Sequence, residues 1–212
     1  WDAAEAVLAV KSVLVDLNDA AATLPNSYNS VENITPLETP LSSTINGAAL
    51  ATPVFLSLYA ENDLRLDKYF AETDEKGFRK NKKAGSNNYL CTFRVGEIYL
   101  TAAEAAARLG ELSQARTRLL ELMRKRYAPE AYEAKSVVVN AMDKEALVQE
   151  ILDERARELA FEGHRWFDLR RSTRPRLEKV LDGTRYVLEE NDARYTLAIP
   201  KEAIEANPGL LN

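Results

Sequence analysis

The strongest constraint on the fold is the stretch from Thr92 to Arg126, TFRVGEIYLTAAEAAARLGELSQARTRLLELMRKR. Its apolar residues recur every three or four positions, the spacing of one face of an α-helix. A glycine at position 110 interrupts the pattern. The stretch therefore predicts two helices joined at LGEL. Alanines crowd the first of them at positions 102, 103 and 105–107, so that a neighbouring helix can approach its backbone closely.

The small and aromatic residues of this pair match a known repeat. Tyr99, Ala103, Gly110 and Ala115 stand where a tetratricopeptide helix pair has its aromatic residue, small residues and turn. Any antiparallel helix hairpin also needs small residues and a turn glycine, so a generic hairpin is the alternative.

The same spacing extends the helical prediction along the chain. We expect helices over residues 2–24, 53–59, 143–169 and 175–181, with a long polar loop over 26–46 and a charged surface excursion over 75–88. RYTLAIP, at 194–200, predicts a short strand or extended segment. The expected fold is all-α, with tetratricopeptide-like helix pairs, long loops and a short extended C-terminal segment in a single domain, 1–212.

Charge and composition exclude several classes of protein. A net charge of −5 argues against a nucleic-acid partner, and no apolar run approaches the roughly 18 residues of a membrane span. The single cysteine, Cys91, rules out an internal disulfide. Because the chain starts at Trp1 without an initiator Met or a signal peptide, we expect a processed chain or a portion of a longer protein.

The stretch EILDERARELAFEGHRWFDLRR carries charges at helical spacing. Arg155, Glu158, Glu162 and Arg165 step along one stripe beside the apolar face. We predict that this stripe forms structural ion pairs with the helix pair before it. The partners expected there are Arg94, Glu97 and Glu104.

A catalytic carboxylate pair is the competing interpretation of these acids. Such a pair needs one carboxyl with a raised pKa, whereas each acid here has an arginine within one turn, which lowers the pKa. His164 and Asp168 have the i, i+4 spacing of two metal ligands, but a zinc site needs at least three. The prediction is therefore no catalytic residue, no metal and no cofactor, with His164 in a structural role.

Three segments in order resemble a known family: RVGEIYLTAAEAAARLGELSQA, LDERARELAFEGHRWFDLRR and LAIPKEAIEANPGLLN. They are similar to the C-terminal part of SusD/RagB-type proteins, the nutrient-binding surface lipoproteins of Bacteroidetes outer membranes. ENDLRLDKYF resembles the Asp-x-Arg segment ahead of them, so the resemblance is strongest over 61–212.

The resemblance implies a helical scaffold that captures glycans, or peptides in some members, without cleaving them. It implies a TonB-dependent transporter of the SusC type as partner and a place on the outer face of the outer membrane. The full-length protein is expected to be held there by a lipid anchor, which we expect to be absent from this chain. Family ligand contacts come largely from loop aromatics, which here are Tyr28, Tyr59 and Tyr89; Trp166 is assigned to the core. A helical-repeat adaptor between proteins and a hydrolase with an unrecognised carboxylate site are the alternatives.

Overall fold

The computed structural model describes residues 1–41, 50–83, 89–181, 183–207 and 209, and within these ranges it leaves out the side chains of 37–41, 89–92 and 181. The chain divides into two compact units, Trp1–His164 and Arg165–Asn212. The fold is mostly α-helical, as predicted, with small sheets added. None of the helices in these ranges is both long and apolar enough to cross a membrane.

The first unit contains the predicted helix pair. Its helices are α1 (Asp2–Val10), α2 (Pro53–Leu56), α3 (Arg65–Tyr69), α4 (Val95–Leu109), α5 (Leu112–Met123), α6 (Pro129–Ala141) and α7 (Lys144–Glu158). The pair itself is α4 and α5, which confirms the two helices and their junction. Gly110 ends α4 with a φ of 92°, a left-handed conformation that glycine adopts without a steric penalty. The tetratricopeptide character of the pair stays a prediction.

Helix α4 forms the centre of the larger apolar cluster. Ala102, Ala103, Ala106 and Ala107 are completely buried, and the helix packs against α1, α5 and α7. The small side chains explain why three helices can surround one. A second cluster joins Tyr59, Phe70 and Phe55 with Phe161, whose rings meet edge to face.

Two small sheets complete the first unit. β1 (Asn33–Leu41) pairs antiparallel with β5 (Tyr89–Arg94), and β2 (Leu50–Ala51), β4 (Arg79–Asn81) and β3 (Phe70–Thr73) form a three-stranded sheet in that order. The loop predicted over 26–46 is therefore wrong from Asn33 to Leu41. Two prolines favoured the loop, but each strand of a two-stranded sheet has a free edge, where a missing N–H is tolerated.

The helix predicted over residues 2–24 is wrong beyond Val10. The backbone is extended from Lys11, because tertiary partners take its hydrogen bonds. The amide of Val15 donates to the carboxylate of Glu32 at 2.9 Å, and its carbonyl accepts from Arg126 at 2.6 Å. These bonds compete with the intrahelical ladder that the apolar spacing favours.

The helix predicted over 143–169 is interrupted between α7 and α8 (Arg165–Arg171). Phe161 and Gly163 both have positive φ, 61° and 86°, which no α-helix contains. The carbonyls of Glu158 and Ala160 accept hydrogen bonds from side chains outside the helix instead of from its next turn. The glycine was the signal in the sequence for this break.

The second unit contains α8, β6 (Leu177–Leu181), β7 (Thr184–Leu188), a 3-10 turn (Ala193–Tyr195) and α9 (Lys201–Ala206). The helix predicted over 175–181 is wrong, because β6 and β7 form a hairpin. Asp182-Gly183 in the sequence is a typical hairpin turn that the helical interpretation missed. Trp166 is half-buried within this unit, and its ring stacks on Tyr195 with centroids 5.2 Å apart.

Candidate functional site

A cluster of ten charged side chains lies inside the first unit, and we call it the buried charge cluster. Its members share almost complete burial. Five are basic, Arg65, Lys83, Arg94, Arg126 and Arg157, and five are acidic, Glu32, Asp63, Glu154, Glu158 and Glu162. Charges of both signs in equal number allow each ion to be compensated without water.

Glu158, the last residue of α7, is the centre of the cluster. Its carboxylate accepts from Arg94 at 2.6 Å, from Arg126 at 2.9 Å and from Arg65 at 3.1 Å, and none of these side chains is exposed. Burial by itself raises the pKa of Glu158, but Arg126, Arg94 and Arg65 outweigh it and hold that pKa well below its usual value. The group is therefore ionised in the folded protein.

The other carboxylates are bound by arginine forks. Arg94 meets both oxygens of Glu162, at 3.0 and 2.9 Å, and Arg65 meets both oxygens of Asp63, at 2.8 and 2.7 Å. Burial raises the pKa of Glu154, yet the charges of Arg65 and Arg157 outweigh it and lower that pKa to about 2.

Lys83 is the one lysine among the basic members of the cluster, and it lies beside Glu162. Its ammonium donates to the carbonyl of Glu158 at 2.6 Å, to that of Ala160 at 3.2 Å and to the carboxylate of Glu162. Burial lowers the pKa of Lys83 to about 8, although the nearby Glu162 acts in the opposite direction.

This geometry suits a structural cluster rather than a catalytic pair. A general acid for glycoside cleavage needs a carboxyl whose pKa is raised, and an opening through which the sugar can reach it. Here Glu154, Glu158 and Glu162 all have lowered pKa values, and their side chains are buried away from solvent. The cluster instead joins the segments around residues 32, 63–65, 94 and 126 to the end of α7.

The structure places the predicted ion-pairing residues in several environments. Arg94, Glu158 and Glu162 meet inside the buried charge cluster. Glu104 pairs within α4 with Arg108, at 2.9 Å, and the guanidinium of Arg155 lies 3.4 Å from the hydroxyl of Thr101.

The remaining two predicted residues lie outside the cluster. Glu97 lies 3.6 Å from Nδ1 of His164, and both side chains are half-buried. Arg165 is exposed at the start of α8. Within the described ranges, His, Cys, Asp and Glu side chains form no group of three or more that could hold a metal ion.

The sequence predicts ion pairing for three of the ten cluster members, Arg94, Glu158 and Glu162, and misses the others. Glu32 falls in a predicted loop, and Lys83 falls in the charged excursion that was assigned to the surface. Arg126 ends the stretch that predicts the helix pair, and no partner is predicted for it. Asp63 and Arg65 form the Asp-x-Arg segment of ENDLRLDKYF, which was the available signal.

The three tyrosines predicted to bind glycan differ in position. Tyr28 is 51% exposed in the turns before β1. Tyr59 is buried, and its hydroxyl donates to the carbonyl of Arg157 at 2.8 Å, so the prediction of a sugar-stacking role for Tyr59 is wrong. The side chain of Tyr89 lies outside the described residues. Among the described residues, the exposed aromatic side chains that the sequence analysis does not single out are Phe93, Phe167 and Tyr186.

Two of the shallow grooves that the described residues form lie one in each unit. One, of about 350 Å³, lies in the first unit between residues 60–62 and helix α6, with Tyr127 and Val138 in its lining. The other, of about 250 Å³, lies on the hairpin of the second unit, beside Tyr186 and Arg194.

Comparison with known proteins gives a consistent picture. The model of the SusD family matches residues 50–212. A SusD superfamily protein from Bacteroides fragilis superposes with a TM-score of 0.73 at 23% identity, over 98% of this chain and 50% of that one. No curated protein matches the chain.

Two other solved structures show the same fold. A SusD superfamily protein from Bacteroides thetaiotaomicron has a TM-score of 0.65 at 20% identity, over 98% of this chain and 54% of that one. A SusD-like carbohydrate binding protein from Bacteroides vulgatus has a TM-score of 0.62 at 17% identity, over 97% of this chain and 53% of that one. The chain thus spans about half the length of these structures. Because the family model covers most of its residues, the chain belongs to the SusD family.

Proposed function

We propose that this protein captures oligosaccharides without cleaving them and delivers them to a TonB-dependent transporter of the SusC type, at the outer face of the outer membrane. The observation that carries the proposal is membership of the SusD family over residues 50–212. A structural relative with the same fold is described as a carbohydrate binding protein, which supports the same ligand class.

The buried charge cluster supports binding without chemistry. The pKa values of Glu154, Glu158 and Glu162 are lowered and these side chains are buried, so they cannot donate a proton to a glycosidic oxygen. The ligand contacts that we propose instead are loop aromatics, because sugar rings stack their C–H faces on aromatic side chains. Tyr28 is the exposed candidate in the first unit, and Tyr89 remains a sequence prediction.

Calorimetric titration with a panel of plant and host oligosaccharides tests the proposal. We expect binding of at least one glycan, with no cleavage products after prolonged incubation. Tyr28→Ala should weaken binding, whereas Tyr28→Phe, which keeps the ring and removes only the hydroxyl, should retain it.

Three results would contradict parts of this proposal. Accumulating cleavage products would overturn the non-enzymatic assignment. Binding of peptides in place of every glycan would move the protein to the peptide-binding branch of the family. Equal affinity of the Tyr28→Ala variant and the wild type would exclude Tyr28 as a contact.

A further inference from the structure

The hairpin of the second unit presents an aromatic ring and a cation side by side. Tyr186 on β7 is the direct cross-strand partner of Lys179 on β6, and Leu188 is the partner of Leu177. Because side chains alternate between the two faces of a strand, these four lie on one face. The pairs at 179/186 and 177/188 line the hairpin groove of about 250 Å³.

The apolar part of this groove suits the flat face of a sugar. The side chain of Tyr186 is 56% exposed, and Leu177 beside it is also partly open to solvent. An exposed ring bordered by leucine side chains offers C–H groups a surface on which to stack. No pairing with another strand within the described residues covers β6 or β7 on its outer edge.

The other charges of the groove are already compensated. Glu178 is paired with Arg176 at 2.9 Å and with Arg185 at 3.2 Å. Arg194 binds both oxygens of Asp192, at 2.9 and 2.7 Å. The hydrogen bonds from Arg194 keep the pKa of Asp192 below its usual value, so this pair is charged at neutral pH.

Lys179 differs from these residues. Its side chain is exposed, and the described part of the chain provides no carboxylate within ion-pairing distance of it. The groove therefore combines a stacking surface with one cation that lacks an internal counter-ion. Directly opposed residues on a hairpin have Cβ atoms about 5 Å apart, so one monosaccharide can reach both side chains.

We propose that this groove is a binding subsite for a sugar that bears a carboxylate, such as a uronic acid, with its ring on Tyr186 and its carboxylate on Lys179. The inference rests on the proposed glycan-capture function and narrows its ligand class to acidic glycans. A neutral sugar would use only the ring, which gives the subsite a preference rather than an absolute requirement.

The test is a chemical-shift titration of the full chain with trigalacturonic acid and with its methyl ester. The two ligands have the same rings and linkages and differ in charge. We expect the acid to bind more tightly than the ester, and its affinity to fall when the ionic strength rises from about 0.05 to about 0.5 M.

Two substitutions separate the ring from the charge. Tyr186→Ala should weaken binding of the acid by about 5- to 10-fold, the size of a lost stacking contact. Lys179→Gln should weaken binding of the acid by about 3-fold, which corresponds to the loss of an exposed ion pair. The affinity for the ester should be unchanged. The matched controls are Phe167→Ala, which removes an exposed ring on α8, and Lys80→Gln, which removes an exposed lysine on β4; both should bind as the wild type does.

Equal affinity for the acid and the ester, or wild-type affinity in both the Tyr186→Ala and Lys179→Gln variants, would overturn the subsite. If the protein binds neutral glycans through Tyr28 and ignores trigalacturonic acid, the subsite is refuted while glycan capture stands. If the protein cleaves the acid but binds it as described, the subsite stands and the non-enzymatic assignment fails. Absence of binding to any saccharide would refute both.

Discussion

Glu158 is the side chain on which the buried charge cluster depends most directly, because three arginines donate to its one carboxylate. The Glu158→Gln substitution keeps the shape and removes the charge, leaving these fully buried arginines short of one counter-ion. Breaking a buried ion pair in this way costs about 3–5 kcal/mol. We therefore expect the free energy of unfolding, measured by urea unfolding, to fall by about 3–5 kcal/mol.

The control for this substitution is Glu145→Gln. Glu145 is exposed in the first turn of α7, where the same chemical change should alter the free energy of unfolding by less than about 0.5 kcal/mol. If both variants unfold at the same urea concentration, the cluster contributes no more than surface charges do.

Lys83 predicts an unusual dependence of stability on pH. Its pKa is about 8 in the folded protein, against 10.5 as the ordinary value, so the unfolded chain binds more protons between these limits. Stability should therefore rise with pH across this window, by about 1.5 kcal/mol between pH 8 and 9.5. Glu162 does not lose its compensation when Lys83 is neutral, because the fork from Arg94 remains.

Urea unfolding of wild type and Lys83→Met, measured over this range, checks the prediction. The difference in unfolding free energy between the two proteins should change with pH in favour of the wild type. Parallel profiles would mean that the ammonium stays protonated. The Lys80→Gln variant, altered at an exposed lysine, serves as the control and should follow the wild type.

Helix α4 begins beside the cluster, and its second residue, Gly96, has no room for a side chain. A Cβ atom there would lie 2.5 Å from the guanidinium of Arg94, 3.0 Å from Glu32 and 3.2 Å from Glu158. The guanidinium cannot move aside, because Glu32 and Glu158 bind it at 3.0 and 2.6 Å. Gly96→Ala should therefore lower the free energy of unfolding by about 1–3 kcal/mol.

The sign of this effect is the informative result, since alanine in place of glycine in a helix interior ordinarily stabilises by about 1 kcal/mol. The control is Ser113→Ala in the first turn of α5, where the side chain is exposed. This substitution also raises helix propensity, but at an exposed position. Stabilisation by both substitutions would contradict the packing argument.

The elements that local spacing determines were predictable, and those that tertiary bonds determine were not. The α4–α5 pair follows from apolar periodicity and Gly110, both visible in the sequence. The end of α1 and the break after α7 depend on side chains of Glu32, Arg126 and Lys83, which come from distant segments. A pattern read within a window of about 11–18 residues does not contain these partners.

The same distinction applies to the candidate site. Glu158 and Glu162 are predictable because their type and spacing within one motif suggest ion pairing, and Arg94 is predictable as a basic partner in the preceding helix pair. Glu32, which pairs with Arg94, lies in a stretch without periodicity, so nothing local marks it as buried. The exposed Tyr186 was missed for another reason, since its strand was not recognised.

The buried carboxylates of Glu154, Glu158 and Glu162 make the stability of the whole molecule depend on pH in the acid range. The pKa values of Glu154, Glu158 and Glu162 are all lowered in the folded state from 4.5, that of Glu154 to about 2. The stability that they provide is therefore present above about pH 4.5 and is lost as the pH falls through their folded values. We expect the free energy of unfolding to decline steadily from pH 4.5 towards pH 2.

Urea unfolding at a series of pH values checks this decline. Raising the salt concentration to about 0.5 M should change it little, because buried pairs are screened far less than exposed ones. A free energy of unfolding that stays level or increases between pH 4.5 and pH 3 would show that the glutamates are not held as ions.

The long sequence separations within the buried charge cluster have a consequence for biosynthesis. The bonds from Glu158 reach back 32 residues to Arg126, 64 to Arg94 and 93 to Arg65. During translation these three arginines leave the ribosome well before their shared carboxylate does. The buried charge cluster therefore cannot be completed until Glu158 emerges. Until then, Asp63 and Glu32 are the partners in this cluster that these arginines can already meet.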